Sequence, residues 1–579
     1  MNKHAIYHIT DVPYVYGKNE ELLMIRIRTA SKDIRNCYLY YKDRYDYEKP
    51  YKVITMKKFI ETELFDYYEG EIFVKEKRYR YYFKIEDNHG EIYFYSEKGL
   101  SKDNYQSIGS FQYPYLALRD IYDELQWAQE SVVYQIFPDR FNNGDKKNDP
   151  ENTLPWGEEV STTTNFGGDL QGIIDKLEYL QELGINIIYL TPIFESSSNH
   201  KYNIKDYYKI DPYFGDIDKA KELVEKAHNL GMKIIFDGVF NHTGHDFYAF
   251  KDVYEKGEAS PYKDWYFIDS FPVDIHKVNY TTFANNEYTL PKLNSNNPEV
   301  IEYFLKVGEF WIMELGIDGW RLDVCDEVDH KFWRAFRERI KKIKPDAFII
   351  GEIQHEGISF LKGDQLDSIM NYPFRSVCVE FIAKENIDAK KAVDILESNR
   401  SQYIHSINKQ LLNLIESHDT PRFLTESQGD TSKLTLAAVL QYTYIGIPYI
   451  YYGAEIGMDG GVDPFCRGCM NWKDEKQDKK LLNLYKRLNY IRKSYKSLVH
   501  GSFKLVKAEG GLLAFEREYS GERILVVINN SSNNQELIIN KEKLFDIYYG
   551  KEILLEKNII KIPPMSFRLL KYPQDKSYS

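Results

Sequence analysis

Asp237, Asp323, Glu352 and Asp419 each close a short apolar run that reads as a strand: IIFDGVFNH, WRLDV, IIGEI and LIESHD, the last placing His418 beside Asp419. Carboxylates at the ends of apolar strands are costly unless they are paired or used. In GWRLDVCDEVDH, residues 319–330, alternation puts Trp320, Leu322 and Val324 on one face and Arg321 and Asp323 on the other. Taken alone, an Arg facing an Asp reads as a structural ion pair. Two carboxyl groups flanking a bond suit glycoside hydrolysis instead. One attacks the anomeric carbon; the other protonates the leaving oxygen and later takes a proton from water. A neighbouring Arg321 would keep a nucleophile ionised, and burial near Asp323 and Asp419 would help Glu352 hold a proton. A metal-dependent hydrolase is the chemical rival, and it wants an HxH near the first strand. VVYQIFPDR has no His, HTGH (242–245) offers only two, and CRGC (466–469) is half of a four-ligand site.

These residues lie far apart, so the fold has to gather them. Three times the chain runs amphipathic helix, glycine, apolar strand: DLQGIIDKLEYLQELG into INIIYLTPIF, DKAKELVEKAHNLG into MKIIFDGVFNH, and NPEVIEYFLKVGEFWIMELG into IDGWRLDV. In the first helix Leu170, Ile173, Ile174, Leu177 and Leu180 keep the helical rhythm, and Gly184 stands at the C-cap. Such alternation means a parallel sheet. The candidate strands are VVYQIF, INIIYL, MKIIFD, IDGWRLDV, AFIIGEI, LDSIMNY, LLNLIE and IPYIYY, starting at 132, 185, 232, 317, 347, 366, 411 and 447. Eight strands predict an α/β fold, a (β/α)8 TIM barrel whose strand ends converge on one mouth. The sixth is the shortest signal. The gap after strand 3 is too long for one helix, so residues 242–296 read as an inserted loop domain at the mouth. Short alternating runs such as LLMIRIRTA and YRYYFKI predict an N-terminal all-β sandwich over 1–122, and LLAFERE, RILVVINN, QELIIN and FDIYYG a C-terminal antiparallel β domain over 498–579. The barrel takes 123–497.

At 579 residues, 43% apolar and 28% charged, the chain is a multidomain globular protein. Its net charge of −12 argues against nucleic acid or an anionic membrane as partner and suits a neutral ligand. An aromatic share of 15%, with 49 Tyr, suits stacking on sugar rings. MNKHAIYHITDVPYVYG lacks the apolar core of a secretory signal, and LAAVLQYTYIGIPYIYYG is broken by Gly446 and Pro448, reading as helix then strand rather than a membrane span. Five cysteines (Cys37, Cys325, Cys378, Cys466, Cys469) are too few and odd in number for a disulfide framework, so the expected compartment is the cytoplasm.

DGVFNH (237–242), GWRLDV (319–324), GEI (351–353) and SHDT (417–420) resemble, in order, the four short motifs of the α-amylase family, glycoside hydrolase family 13. LPKLN (290–294) is similar to the MPKLN of its neopullulanase, cyclomaltodextrinase and maltogenic amylase subgroup, with Leu290 in place of Met. HKYNIKDYYKIDPYFGD, DEVDHKFWRAFR, KGDQLDSIMNYPF and GGVDPFCRGCMNW resemble that subgroup's connecting stretches, and the N-terminal β-module resembles its starch-binding-type domain. The resemblance implies Asp323 as nucleophile, Glu352 as general acid/base and Asp419 as the carboxylate that stabilises the transition state. It implies Arg321, His242 and His418 as contacts to the sugar being cleaved, with Tyr202 stacking beneath it. Asp463 and Arg467 match positions holding the non-reducing side, and Glu327 is carried over as a further substrate contact.

Asn143, Asp145, Asn148 and Asp149 supply hard oxygen ligands within NGDKKND, which alone reads as a turn. The resemblance makes it a structural Ca²⁺ loop, completed by Gly167 and Asp169. Asn241, a calcium ligand of a different site in many α-amylases, reads as structural. Two positions depart from the subgroup: Gln354 stands where Trp usually follows GEI, and Asp326 where Asn is usual in DVANE. Both fall on the acceptor side by analogy, so acceptor preference is not carried over. The expected activity is retaining hydrolysis of α-1,4 bonds in cyclomaltodextrins, maltodextrins and pullulan, with transglycosylation. The alternatives are an α-1,6-acting oligosaccharide hydrolase, against which LPKLN speaks, and an inactive glucan-binding barrel, against which the three carboxylates speak. The subgroup's habit of pairing through the N-terminal domain implies a homodimer.

Overall fold

The computed structural model describes residues 1–104, 109–122 and 124–573; residues 574–579, the tail of the expected C-terminal domain, lie outside them. The chain forms two compact units. One comprises Met1–Glu124, Leu361–Gly363 and Lys390–Asn408. Its sandwich has a four-stranded sheet in the order Val15–Asn19, Leu22–Ala30, Phe65–Phe73, Lys57–Glu61, and a second sheet centred on Ile34–Asp43 and Tyr79–Asp87. Alternation works as expected: Leu23, Ile25 and Ile27 from one sheet meet Cys37, Leu39, Tyr81, Phe83 and Ile85 from the other in one core.

The second unit holds a closed parallel barrel. Its strands are β1 (Val133–Ile136), β2 (Ile187–Leu190), β3 (Lys233–Gly238), β4 (Gly319–Leu322), β5 (Phe348–Gly351), β6 (Ser368–Ile369), β7 (Leu412–Leu414) and β8 (Ile447–Tyr451). Neighbours pair in parallel from β1 through β6, β7 pairs β8, and β8 pairs β1. The bridge Met370–Leu412 joins β6 to β7 and closes the ring. β6 is two residues long, which is why its sequence signal is weak. Val133, Ile187, Tyr189, Ile235, Phe348, Ile350, Leu412, Leu414, Ile447 and Tyr449 fill a single core. Trp320 and Leu322 are fully buried, and Trp320 packs against Phe194, Phe236, Phe240 and Phe336. Arg321 and Asp323 take the other face.

The three helical stretches form helices, with Gly184 closing the first as expected and the second starting at Ile217, just ahead of the stretch read from the sequence. Asp169, Asp216 and Asn297 accept backbone N–H bonds as N-caps, and Gly184 and Gly316 close their helices at φ 95° and 71°. The first helix is two segments, Leu170–Ile174 and Leu177–Leu183, rather than one. Its opening turn is pressed against the backbone of Asn142, an approach that a Cβ at Gly172 would block at 1.8 Å. The insertion after β3 carries a helix at Tyr248–Lys256 and returns to the barrel through the bridges His242–Lys292 and Tyr266–Leu293. The apolar run near 440 is the helix Thr431–Thr443 followed by β8, and no helix among the described residues is long and apolar enough to cross a membrane.

The C-terminal β region has a six-stranded antiparallel sheet in the order Ser502–Glu509, Leu512–Tyr519, Glu522–Asn529, Ser566–Lys571, Lys543–Asp546, Lys551–Leu554, plus the pair Gln535–Ile538 and Ile559–Ile562. FDIYYG leaves the strand at Asp546, whose carboxylate accepts from the Tyr548 and Tyr549 N–H groups and turns the chain. All five cysteines are free and buried.

Candidate active site

Arg321 points from β4 into the barrel mouth and gathers three carboxylates. Nη1 donates to Asp237 at 3.0 and 3.1 Å and to Asp323 Oδ1 at 2.8 Å, while Nη2 lies 2.8 Å from Glu352 Oε1. The guanidinium is 1% exposed. Asp237 also accepts from Tyr189 at 2.5 Å and from Tyr202 at 3.1 Å. The second Glu352 oxygen accepts from the Val324 N–H at 3.1 Å.

Three buried carboxyls share one guanidinium, so full ionisation leaves an excess of negative charge. Burial, reinforced by Glu352 and opposed by Arg321, pushes the Asp323 carboxyl well above the usual range. Burial likewise raises Asp237 to about 6 against the pull of Arg321. Asp323 and Asp237 are thus both held above the ordinary carboxylate range, with burial as the leading cause.

The Tyr202 hydroxyl links Asp237 to His418. The Gln135 amide reaches its Nδ1 at 2.6 Å, and Nε2 lies 2.6 Å from the Tyr202 hydroxyl and 3.1 Å from Asp419 Oδ2. The Tyr202 and His418 rings are parallel, 2° apart in plane at 5.5 Å. Burial, with Arg467 and Arg321 nearby, holds His418 well below the ordinary imidazole value, so it is neutral. Arg467 donates to the His418 carbonyl at 2.9 Å and to Asp419 Oδ1 at 3.2 Å, and pairs with Asp463 at 2.9 Å. His242 is buried on the ring of Phe283 at 5.0 Å, and its Nε2 has no hydrogen-bond partner among the described residues. Desolvation and the Lys292 charge lower it to about 3.

Asp323, Glu352, Asp419, Arg321, His418 and Tyr202 thus come together, with His242 beside them and Asp463 and Arg467 continuing from Asp419. Glu327 does not join the carboxylates. It pairs with Lys292 at 3.1 Å, and the same ammonium bonds Asn241 Oδ1, so Asn241 is structural here. Gln135 and Tyr189 were not singled out by sequence, although both sit where the alternation of β1 and β2 turns inward. Asp237, a strand-end carboxylate in the sequence, takes its place here as a partner of Arg321, Tyr189 and Tyr202.

In the loop after β1, Asp169 accepts from the N–H groups of Gly144, Asp145 and Gly172 and from the Asn148 amide. Asp145 Oδ1 accepts from the Lys147 N–H. Asn143 donates to Asp149 at 2.8 Å, and a Cβ on Gly167, at φ 77°, would lie 2.2 Å from that Asp149 oxygen. The Oδ1 atoms of Asn143 and Asn148 are buried without a hydrogen-bond partner among the described residues. Two orphaned amide oxygens beside a carboxylate are a donor set that fits a hard cation. Among the described residues no group of three His, Cys, Asp or Glu is placed to hold a metal. Cys466 instead donates to the His418 carbonyl at 3.1 Å.

Comparison with known proteins agrees with this geometry. Residues 135–501 match the alpha amylase catalytic domain, 1–117 the alpha amylase N-terminal ig-like domain and 501–562 the alpha-amylase C-terminal domain. The chain is similar to a cyclomaltodextrinase of Thermoanaerobacter pseudethanolicus, 49% identical over 99% of this chain and 100% of that one. It is similar to neopullulanase 2 of Thermoactinomyces vulgaris, 44% identical over 92% of each. A solved structure of a cyclomaltodextrinase superposes with a TM-score of 0.92 at 39% identity, covering 99% of this chain and 100% of that chain. The chain belongs to the α-amylase family, glycoside hydrolase family 13.

Proposed function

We propose that this protein is a retaining α-glucan hydrolase that cleaves α-1,4 bonds in cyclomaltodextrins, maltodextrins and pullulan and transfers glycosyl groups to sugar acceptors. One observation carries the reading: Asp323 and Glu352 sit on neighbouring nitrogens of the buried Arg321. Two carboxyls gathered by one guanidinium at the same opening are the pair that retaining hydrolysis needs, one to attack and one to give a proton. The relatives, a cyclomaltodextrinase and a neopullulanase, supply the substrate class.

In this reading Asp323 attacks C1 as Glu352 gives its proton to the leaving oxygen, forming a glycosyl ester. Water then attacks C1, Glu352 takes its proton, and the ester bond breaks with net retention. Arg321 holds both carboxyls in place. His418, neutral and oriented through Gln135, carries its Nε2–H between the Tyr202 hydroxyl and Asp419 at the sugar's edge, Tyr202 gives the stacking face, and His242 adds a second neutral imidazole beside them. Asp463 and Arg467 extend the site on the Asp419 side.

Asn143, Asn148, Asp149 and the Gly167 carbonyl would hold Ca²⁺, which would stiffen the loop after β1 and take no part in the chemistry. Asp145 and Asp169 complete the expected ligand set, and their carboxylates also accept backbone N–H groups of the same loop. A homodimer through residues 1–122 and a cytoplasmic location complete the proposal; free buried thiols support the latter. Initial rates on β-cyclodextrin, pullulan and soluble starch, with products resolved, test the function. Cyclodextrin well ahead of starch is the expected result. Starch equal or ahead overturns the small-substrate reading, and no turnover of any α-glucan overturns the whole.

A further inference from the structure

The loops that follow β4 and β5 are tied together outside the catalytic cluster. Asp326 lies three residues past Asp323 in a single 3₁₀ turn, and His355 three residues past Glu352. His355 Nε2 is 2.9 Å from Asp326 Oδ2, and His355 Nδ1 is 2.8 Å from the Glu356 carbonyl oxygen. Both ring nitrogens therefore face acceptors. A neutral imidazole has one N–H and can satisfy only one of them, so the imidazolium is the form this geometry fits. Burial is the largest single influence and works against that charge, but the Glu356 carbonyl and the Asp326 carboxylate together outweigh it and hold His355 above the ordinary imidazole value. The charged groups facing the ring are Asp326 and Glu356. The pair sits at the rim, with His355 61% and Asp326 28% exposed.

Chemistry gives the rim its side. A general acid must reach the glycosidic oxygen, so the loop carrying Glu352 borders the leaving group, and later whatever enters in its place. An incoming water or sugar hydroxyl attacks C1, its proton passes to Glu352, and the bond from C1 to the Asp323 carboxyl breaks. The two acceptors compete for one intermediate through this opening.

We propose that Asp326 and His355 form a specificity-determining strap, joining the nucleophile's loop to the acid/base's loop and setting how the glycosyl intermediate divides between water and a sugar hydroxyl. With the strap fastened the rim is ordered and a sugar acceptor is retained. When His355 loses its proton, Nε2 and the carboxylate become two facing acceptors, the strap loosens, and water gains. This rests on the reading of the site given above.

The test is the ratio of transfer to hydrolysis products from maltotriose with added glucose, followed from pH 5 to 9 in the full-length protein. A product ratio from one intermediate is independent of how much enzyme is active. In the wild type the ratio falls as pH rises through the His355 titration, by about 2- to 5-fold, the range an exposed ion pair supplies. In Asp326→Asn the amide can donate to neutral His355, so the contact survives and the ratio loses its pH step. In His355→Leu the ratio is low throughout. Histidine ring NMR, with the His355 signal assigned by its loss in His355→Leu, gives a second readout: its titration moves to lower pH in Asp326→Asn. An unchanged ratio profile in both variants overturns the strap, as does a wild type with no transfer product. A wild type that turns over no α-glucan overturns the reading of the site itself.

Discussion

Val324 donates its backbone N–H to Glu352 Oε2 at 3.1 Å from a left-handed conformation, φ 43° and ψ 47°, immediately after Asp323. A β-branched residue in that region is a true outlier. The turn lets β4 end on Asp323 while the next amide aims at the carboxylate from β5. The nucleophile's strand thus orients the acid/base through one peptide group, and the conformation is held against the residue's own preference.

Replacing Val324 by Gly removes the Cβ penalty at this φ and stabilises the fold by about 1 kcal/mol, the size expected where native φ is positive. Val324→Ala keeps a Cβ and gains nothing. Urea unfolding of the three proteins at pH 7 checks the order; an Ala variant as stable as the Gly variant would mean that the turn is unstrained.

Asp323→Asn removes the attacking oxygen's charge and leaves a side chain of the same shape. Turnover of β-cyclodextrin should fall by roughly 10⁴-fold or more while ligand binding persists. Calorimetry of maltotriose binding beside initial rates separates the two. Turnover close to wild type would exclude Asp323 as the nucleophile.

Asp237 titrates at about 6, above its unfolded value, because burial disfavours its charge. The folded state therefore binds more protons than the unfolded state between roughly pH 4 and 6, so stability falls as pH rises through that window. Asp237→Asn takes the titration away. Its melting temperature should lose relative to wild type at pH 4.5 and recover towards or beyond it at pH 8. A constant difference across that range would refute the raised titration.

How far the sequence reveals this site depends on what each residue answers to. Arg321, Asp323, Glu352 and Asp419 are legible because polar residues ending apolar strands stand out, and a parallel barrel brings such ends together. Gln135 and Tyr189 obey the same inward alternation but carry no charge to draw attention. The Val324 conformation, the Lys292 clasp on Asn241 and Glu327, and the Asp326–His355 pair are set by which loop meets which loop, and no period in the chain encodes that. The first helix also departs from its rhythm, ending at Ile174 and restarting at Leu177 where the sequence reads as continuous.

The orphaned Asn143 and Asn148 oxygens make the loop after β1 the place to look for calcium. Added Ca²⁺ should raise the melting temperature of protein pretreated with EDTA, with a gain of about 2.7 kcal/mol at a hundred times the dissociation constant. Asn143→Ala should abolish that gain without changing the rate at saturating cyclodextrin. Melting that ignores both EDTA and Ca²⁺ would leave the loop a turn closed by Asp169 alone.

Asp318 marks the far end of β4, five residues before Asp323, and should behave oppositely to Asp237. It accepts from the Ile234 N–H at 3.0 Å and pairs with His228, Lys233 and Lys344 at 2.7, 3.0 and 2.9 Å. Burial alone would raise its titration, but His228, the Ile234 amide and Lys344 more than reverse this and hold it well below the usual carboxylate value. A lowered folded value means stability present above the unfolded value, near pH 4, and lost as pH falls further. Asp318→Ala also strands the Ile234 N–H, and should cost about 2–4 kcal/mol at pH 7, less at pH 3. Because this end of a barrel serves stability while the other serves chemistry, the activity of the folded fraction should stay near wild type. Denaturant titrations at the two pH values, with rates normalised to folded protein, decide it: a loss that grows towards acid would mean that the charge of Asp318 is not what holds this end of the strand.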